Sequence, residues 1–182
     1  CRSFNLDRML NEIYSKSFSG IKISSEPINV IFNKQDYGIY IMEDFLDKYL
    51  VEENAKRESF IFEVVDNNVY YNHVPKDEKF IAQQTLITEL VTTEDKTAFF
   101  EHIDKEKLFG FLALTLISNN NHSALDINLH WYYNPVTNKF EPTIRETKLT
   151  KLNETVKNDE LYSTMNSIIS YRNPILTGWM NW

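Results

Sequence analysis

The stretch HSALDINLHWYYNPVTNKFEPTIRE, residues 122–146, decides how this chain is read. Ile127, Leu129, Trp131 and Tyr133 alternate with Asn128, His130 and Tyr132, the period of a half-buried strand. NPVTNK reads as a turn, and Phe140, Pro142 and Ile144 continue into a return strand. Asp126 and Asn128 stand where the apolar segment KLFGFLALTLIS gives way to that hairpin, and Glu146 ends its second strand. Hairpin pairing brings residues of the two strands together. A carboxylate, a carboxamide and a second carboxylate are therefore expected near one another. Such oxygen ligands suit Mg²⁺. Phosphoryl transfer uses the same set: an Asp for the hydroxyl proton, an Asn on a metal, and an acidic metal ligand. The plainer alternative is that Asn and Asp cap the helix and form the turn.

Upstream, Leu6, Met9, Leu10, Ile13 and Tyr14 recur at helical spacing, an amphipathic helix of about three turns with Ser3 or Asn5 as its cap. INVIF and YGIYIM, on either side of NKQD, predict a hairpin in which Gly38 supplies a positive φ or a close approach. EDFLDKYLVEEN predicts a short helix with Phe45, Leu46, Tyr49 and Leu50 on one face. SFIFEVV and VYYNHV, joined by Asp66-Asn67-Asn68, predict a second hairpin with Phe60, Phe62 and Val64 on one side. Residues 77–118 read as helical with a break near TTEDKT, and their last segment as a buried central helix, apolar nearly all round. A final helix is expected near 159–171 on Leu161, Met165, Ile168 and Ile169. No repeat or linker divides the chain, so residues 1–182 read as one α+β domain.

Composition agrees with a folded globule: of 182 residues, 42% are hydrophobic and 14% aromatic. The net charge of −7 has its acidic groups dispersed and gives no electrostatic footprint for nucleic acid. The longest apolar run is too short to span a bilayer. Cys1 is the one cysteine, which excludes an internal disulfide. A chain opening at Cys reads as a fragment in preference to a lipidated terminus. The sequons at Asn121 and Asn153 fit chance in an Asn-rich sequence.

Other chemistries fit poorly. His122 and His130 have no third ligand at zinc spacing. Ser123, His122 and Asp126 are too close in sequence to align as a triad, and no G-x-S-x-G elbow exists. No phosphate-cradling or dinucleotide-binding Gly motif is present. Trp131, Tyr132 and Tyr133 fit core and rim better than base stacking.

Two blocks carry a family resemblance. INVIFNKQDYGIYIMEDFLDKYLVEEN resembles a strand, Asn turn, Gly-x-Tyr, Glu and helix pattern through Val30, Asn33, Gly38, Tyr40 and Glu43. The opening stretch resembles a polar loop, Asn, aromatic strand, Asn-Pro turn and closing acid through Asn128, Tyr132, Asn134, Pro135, Thr137, Lys139, Phe140 and Pro142. With ESFIFEVV between them, they are similar in order to the spore coat protein H (CotH) kinase-like family, over roughly residues 6–148.

The resemblance implies an atypical protein-kinase-like fold, mostly its catalytic (C-terminal) lobe side, with β-hairpins packed on a helical core. It also implies that N-terminal-lobe strands, including the one bearing the phosphate-binding Lys, lie upstream of residue 1. ATP and Mg²⁺ or Mn²⁺ would be the cofactors, and Ser or Thr of a protein partner the acceptor. That partner would be a substrate or a coat or surface protein, at a spore coat, at a cell surface or secreted. Asp126 would be the catalytic aspartate, Asn128 and Glu146 the metal ligands, and Glu43 a neighbour of the nucleotide. Glu146 stands where the family usually has Asp, a gapless match puts Ser123 where many members carry Asp, and His122 fits a variant with His there. A catalytically weak pseudokinase-type binding or structural module is the alternative. Without the family, a metal-dependent hydrolase using Asp126 and Glu146 is a third.

Overall fold

The computed structural model describes residues 4–94, 97–118, 123 and 128–145. In chain order it contains α1 (Phe4–Phe18), β1 (Ser25–Phe32), β2 (Gln35–Glu43), α2 (Lys48–Glu53), β3 (Ile61–Val65) and β4 (Asn68–His73). A 3-10 turn (Glu78–Phe80) leads into α3 (Ile81–Thr92), α4 (Thr97–Glu101) and α5 (Lys105–Ile117), then β5 (His130–Asn134) and β6 (Lys139–Pro142). The fold is α+β, with the three expected hairpins. Two of them merge into one antiparallel sheet of order β4-β3-β5-β6, while β1 and β2 form a separate ribbon. The expected caps Ser3 and Asn5, and the expected final helix, lie outside the described residues or side chains.

Two-residue turns close the first two hairpins. Asn33 and Lys34 have φ of 50° and 65°, and Asp66 and Asn67 have 48° and 62°. Paired left-handed residues match the twist of the flanking strands, and Asn and Asp tolerate that conformation best. The first turn is therefore shorter than the four residues expected. Gly38 does take a positive φ, 82°, but inside β2, near the irregularity between Asn29 and Ile31.

Alternation on the strands builds two cores, one on each side of the sheet. Phe60, Phe62, Trp131, Tyr133 and Phe140 pack with Tyr14 of α1, Ile87 of α3, Phe99 of α4 and Phe111 of α5. On the other side Ile61 and Tyr132, partners across β3 and β5, pack with Ile21, Ile23, Leu46, Leu50 and Val51. β5 is thus buried on both faces. The expectation of a half-buried strand is corrected: the second layer comes from α2 and the segment after α1, which strand alternation cannot reveal. α2 is also shorter than expected, because Asp47 accepts from the Tyr49 and Leu50 amides and starts it there. Phe45 and Tyr49 are exposed as a result, and Leu50 and Val51 form the buried edge. On α5, Phe109 and Ile117 face solvent, so that helix is not covered all round.

Sharp close approaches lock α1 to its neighbours. A Cβ on Gly20 would stand 2.1 Å from the Tyr14 ring, which is fully buried and donates to the Pro142 carbonyl at 2.8 Å. Burial, reinforced by the carboxylates of Glu141 and Asp104, pushes the Tyr14 hydroxyl well up, so it remains a donor.

Glu141 is the centre of a buried charged group. Its carboxylate receives Lys56 Nζ at 3.0 Å and Asn134 Nδ2 at 2.6 Å, with Lys107 Nζ at 3.5 Å. Lys107 also holds Asp104 at 2.6 Å. Asp104 caps α5 through the Lys107 amide at 3.1 Å. Burial raises the Asp104 carboxyl, but its bonds to Lys107 together outweigh burial and hold it below the usual range. A depressed folded-state pKa contributes stability above the unfolded value, near pH 4, and that stability is lost as pH falls through the folded value. Asp104→Asn keeps a capping oxygen and removes the charge. Its urea midpoint is expected below wild type at pH 7 and to converge with wild type as pH falls through the folded value. A constant gap across that range would remove the ion pair from the account.

The β1–β2 ribbon is held at its base, where Asp44 N donates to the Ser24 carbonyl at 3.0 Å and Ser24 N to the Asp44 carboxylate at 2.7 Å. Beyond the base, Ile31, Phe32, Ile39 and Tyr40 are exposed. Among the described residues, no helix is long and apolar enough to cross a membrane.

Candidate functional site

β5 enters the sheet just after Asn128, and the Asn128 and His130 side chains are both buried. The His130 ring spans that entry. Its Nδ1 lies 3.1 Å from the Asn128 carbonyl oxygen. A carbonyl only accepts, so Nδ1 carries the proton in this contact. Nε2 lies 3.6 Å from a Glu63 carboxylate oxygen. Glu63 stands directly across from His130 in the β3–β5 register. Sheet pairing therefore aims a carboxylate at an imidazole, and the imidazole holds the backbone of Asn128. Burial pushes the Glu63 carboxyl up, and the positive charge of Arg145 offsets part of that rise.

Arg145 arrives from the other strand of the hairpin. The Thr143 amide and hydroxyl both donate to the His130 carbonyl, at 2.9 and 3.3 Å. These bonds carry pairing past the end of β6 and bring Arg145 to this part of the sheet. Arg145 Nε lies 3.6 Å from a carboxylate oxygen of Glu43, the last residue of β2. That separation suits an ion pair but exceeds hydrogen-bonding range. The Nε atom is buried and makes no hydrogen bond to another described residue. A buried donor left without an acceptor is unusual, and it carries a desolvation penalty of about 1–3 kcal/mol.

Of the residues expected at the site, Glu43 and Asn128 are described: Glu43 pairs with Arg145, and the Asn128 carbonyl meets the His130 ring, which faces Glu63. Asp126 and Glu146, the expected catalytic and closing acids, lie outside the described residues, as does His122. Among the described residues, no group of three or more His, Cys, Asp or Glu is arranged to hold a metal ion. Of the metal ligands the resemblance implies, Asn128 is the one described, and a carboxamide oxygen suits a hard cation. An orphaned guanidinium N–H suits a phosphate oxygen.

Glu43 also lines a cavity of about 420 Å³ with Arg8, Ser25, Asp44 and Glu53 at the base of the ribbon. The sequence pattern does not single out Glu63, His130 or Arg145. His130 reads there as one position of an alternating strand and, with His122, as a zinc pair lacking a third ligand. The one signal for the cluster is register, since a hairpin pairing Trp131 with Pro142 continues to His130 and Thr143.

Comparison with known proteins finds no protein-family model that matches this chain and no curated protein similar to it. The likeness to CotH-like kinases rests on the residues of the two sequence blocks.

Proposed function

We propose that this chain carries an ATP- and divalent-metal-dependent site that transfers a phosphoryl group to Ser or Thr of a protein partner. In this reading the fold is the catalytic-lobe side of an atypical CotH-like kinase, with β-hairpins packed on a helical core. The observation that supports it joins Glu43, from the first of the two blocks, to Asn128, from the second: Glu43 pairs with Arg145, whose strand bonds through Thr143 to His130, and the His130 ring meets the Asn128 carbonyl.

ATP supplies the phosphoryl group, and the metal ion offsets its charge. The residues of the chain do the rest. Asp126 accepts the proton of the attacking hydroxyl, Asn128 and Glu146 hold the metal, and Glu43 borders the nucleotide. His130 and Glu63 fix the backbone that presents Asn128. Glu146 in place of the family's Asp favours a second reading, a catalytically weak relative that serves as a binding or structural module.

The test uses the full chain with Mg²⁺ or Mn²⁺, labelled ATP and a Ser/Thr protein acceptor. Asp126→Ala is expected to reduce label transfer by about 10²–10⁴-fold, the usual contribution of a positioned base. Asn128→Ala and Glu146→Ala are expected to raise the metal concentration required. Transfer that survives all three substitutions unchanged overturns the site. No nucleotide binding by calorimetry, with either metal, replaces the kinase reading with the binding-module reading.

A further inference from the structure

We propose that the β1–β2 ribbon is the interface for a second copy of this chain, joined edge to edge along β2 about a two-fold axis. Residues paired across an antiparallel ribbon share a face. Pairing of Asn29 with Ile39 and of Pro27 with Ile41 puts Ile31, Ile39 and Ile41 on one face. Pairing of Ile28 with Tyr40 and of Glu26 with Met42 puts Phe32, Tyr40 and Met42 on the other. These six are between 41% and 78% exposed. A lone two-stranded ribbon is marginal in water, and this one carries open apolar side chains on both faces. At these exposures the six leave roughly 700 Å² uncovered, on the order of the 800 Å² that each side of a stable interface buries.

The two edges of the ribbon differ. Pro27 has no amide hydrogen and interrupts the outer edge of β1. β2 runs nine residues without proline, and among the described residues it pairs with β1 alone. An open strand of that length is a template for another strand. Pairing along it brings side chains together on both faces at once, which packing on one face does not.

The register selects a second copy. Full overlap of β2 with its own antiparallel image centres on Ile39, the middle of Gln35–Glu43. Gln35 then opposes Glu43 of the second copy and Asp36 opposes Met42, so no like charges meet. Gly38 opposes Tyr40. A Cβ on Gly38 would meet nothing within 4 Å, and the Gly38 amide is already taken by the Asp36 carboxylate at 2.8 Å. The new ladder passes over that position, and the missing side chain leaves room for the Tyr40 ring. One competent edge per copy closes the assembly at two.

Sedimentation equilibrium on the full chain, across a range of concentrations, is expected to show a monomer–dimer equilibrium. Ile39→Lys sets two ammonium groups together at the axis and is expected to raise the dimer Kd by roughly 10- to 100-fold. Ile81→Lys, at an exposed apolar position on α3, is expected to leave it unchanged. If Ile39→Lys fails to fold, Ile39→Cys in a Cys1→Ser chain tests the same contact. Residue 39 meets itself at the axis within disulfide reach, so mild oxidation is expected to link two copies. Ile81→Cys in that background is expected to stay unlinked. A wild-type chain that is monomeric throughout overturns the proposal. So does a dimer that Ile39→Lys leaves at wild-type affinity, or an Ile39→Cys chain that does not link. A monomer whose β2 amides resist hydrogen exchange also overturns it, because another part of the same chain then covers the edge. None of these outcomes bears on the phosphoryl-transfer reading.

Discussion

Phe140→Ala is expected to lower the unfolding free energy by about 3–5 kcal/mol, the range for removing a fully buried ring. Few positions join so many elements. The ring stacks on Phe99 of α4 at a centroid distance of 4.8 Å, meets Phe62 of β3 edge-on at 5.4 Å, and lies 5.8 Å from Tyr133 of β5. Its backbone adds a second tie. Phe140 N donates to the His102 carbonyl at 2.7 Å, and Asp104 N donates to the Phe140 carbonyl at 2.9 Å. Alanine keeps those bonds, so the measured loss reports the ring. Total stability of a domain is about 5–15 kcal/mol, so this one substitution removes a large fraction of it. Phe140→Leu fills much of the space and should lose less. Urea unfolding of the three proteins checks the order. A loss below about 1 kcal/mol for alanine, ordinary for a surface site, contradicts the central place given to the ring.

Glu141→Ala is expected to have an effect of similar size, about 3–5 kcal/mol, for an electrostatic reason. The Glu141 side chain is 1% exposed, and Lys56 and Lys107 beside it are 19% and 13% exposed. Removing the carboxylate leaves the Lys56 ammonium nearly out of water without its counter-ion, and leaves Lys107 with Asp104 alone. The Asn134 amide loses its acceptor as well. The size of the loss is the penalty of uncompensated burial, not the net worth of the ion pairs. Replacing Glu141 by Leu together with Lys56→Met removes that ion pair and leaves Lys107 with Asp104. That double variant is expected to be markedly more stable than Glu141→Ala alone. Chemical denaturation at pH 7 decides between them. Equal losses for both variants would mean that the group acts by shape and not by charge.

How much of this was legible beforehand depended on the range of the interaction. All three hairpins follow from local signals: alternating β-rich runs around Asn33, around Asp66-Asn67, and around Asn134-Pro135. The break between α3 and α4 follows from the TTEDKT composition. The second break, at His102 to Asp104, did not announce itself. It is fixed from outside, by the bonds of this segment to Phe140. The exposed Phe45 and Tyr49 and the fully buried β5 were misread for the same reason, since burial on a short element depends on what the rest of the chain lays against it. For the site, Asn128 stood out as a carboxamide where an apolar helix gives way to a strand, and Glu43 only through the family resemblance. Glu63, His130 and Arg145 did not, because their significance is a set of partners and not a spacing.

The sequence by itself therefore determined the α+β class, the order of the three hairpins, and the apolar strand faces, all of which express contacts between near neighbours. The period of two along a strand and the left-handed preference of Asn and Asp at its turn are local physics. Only the tertiary structure decided that two hairpins fuse into one sheet with a core on each side, while the first stays apart. It alone decided that Glu141 lies buried among lysines and that Arg145 reaches from the sheet to Glu43. A buried charge has no signature along the chain. It is tolerated where packing removes water and supplies a counter-charge, and those two conditions are met in space.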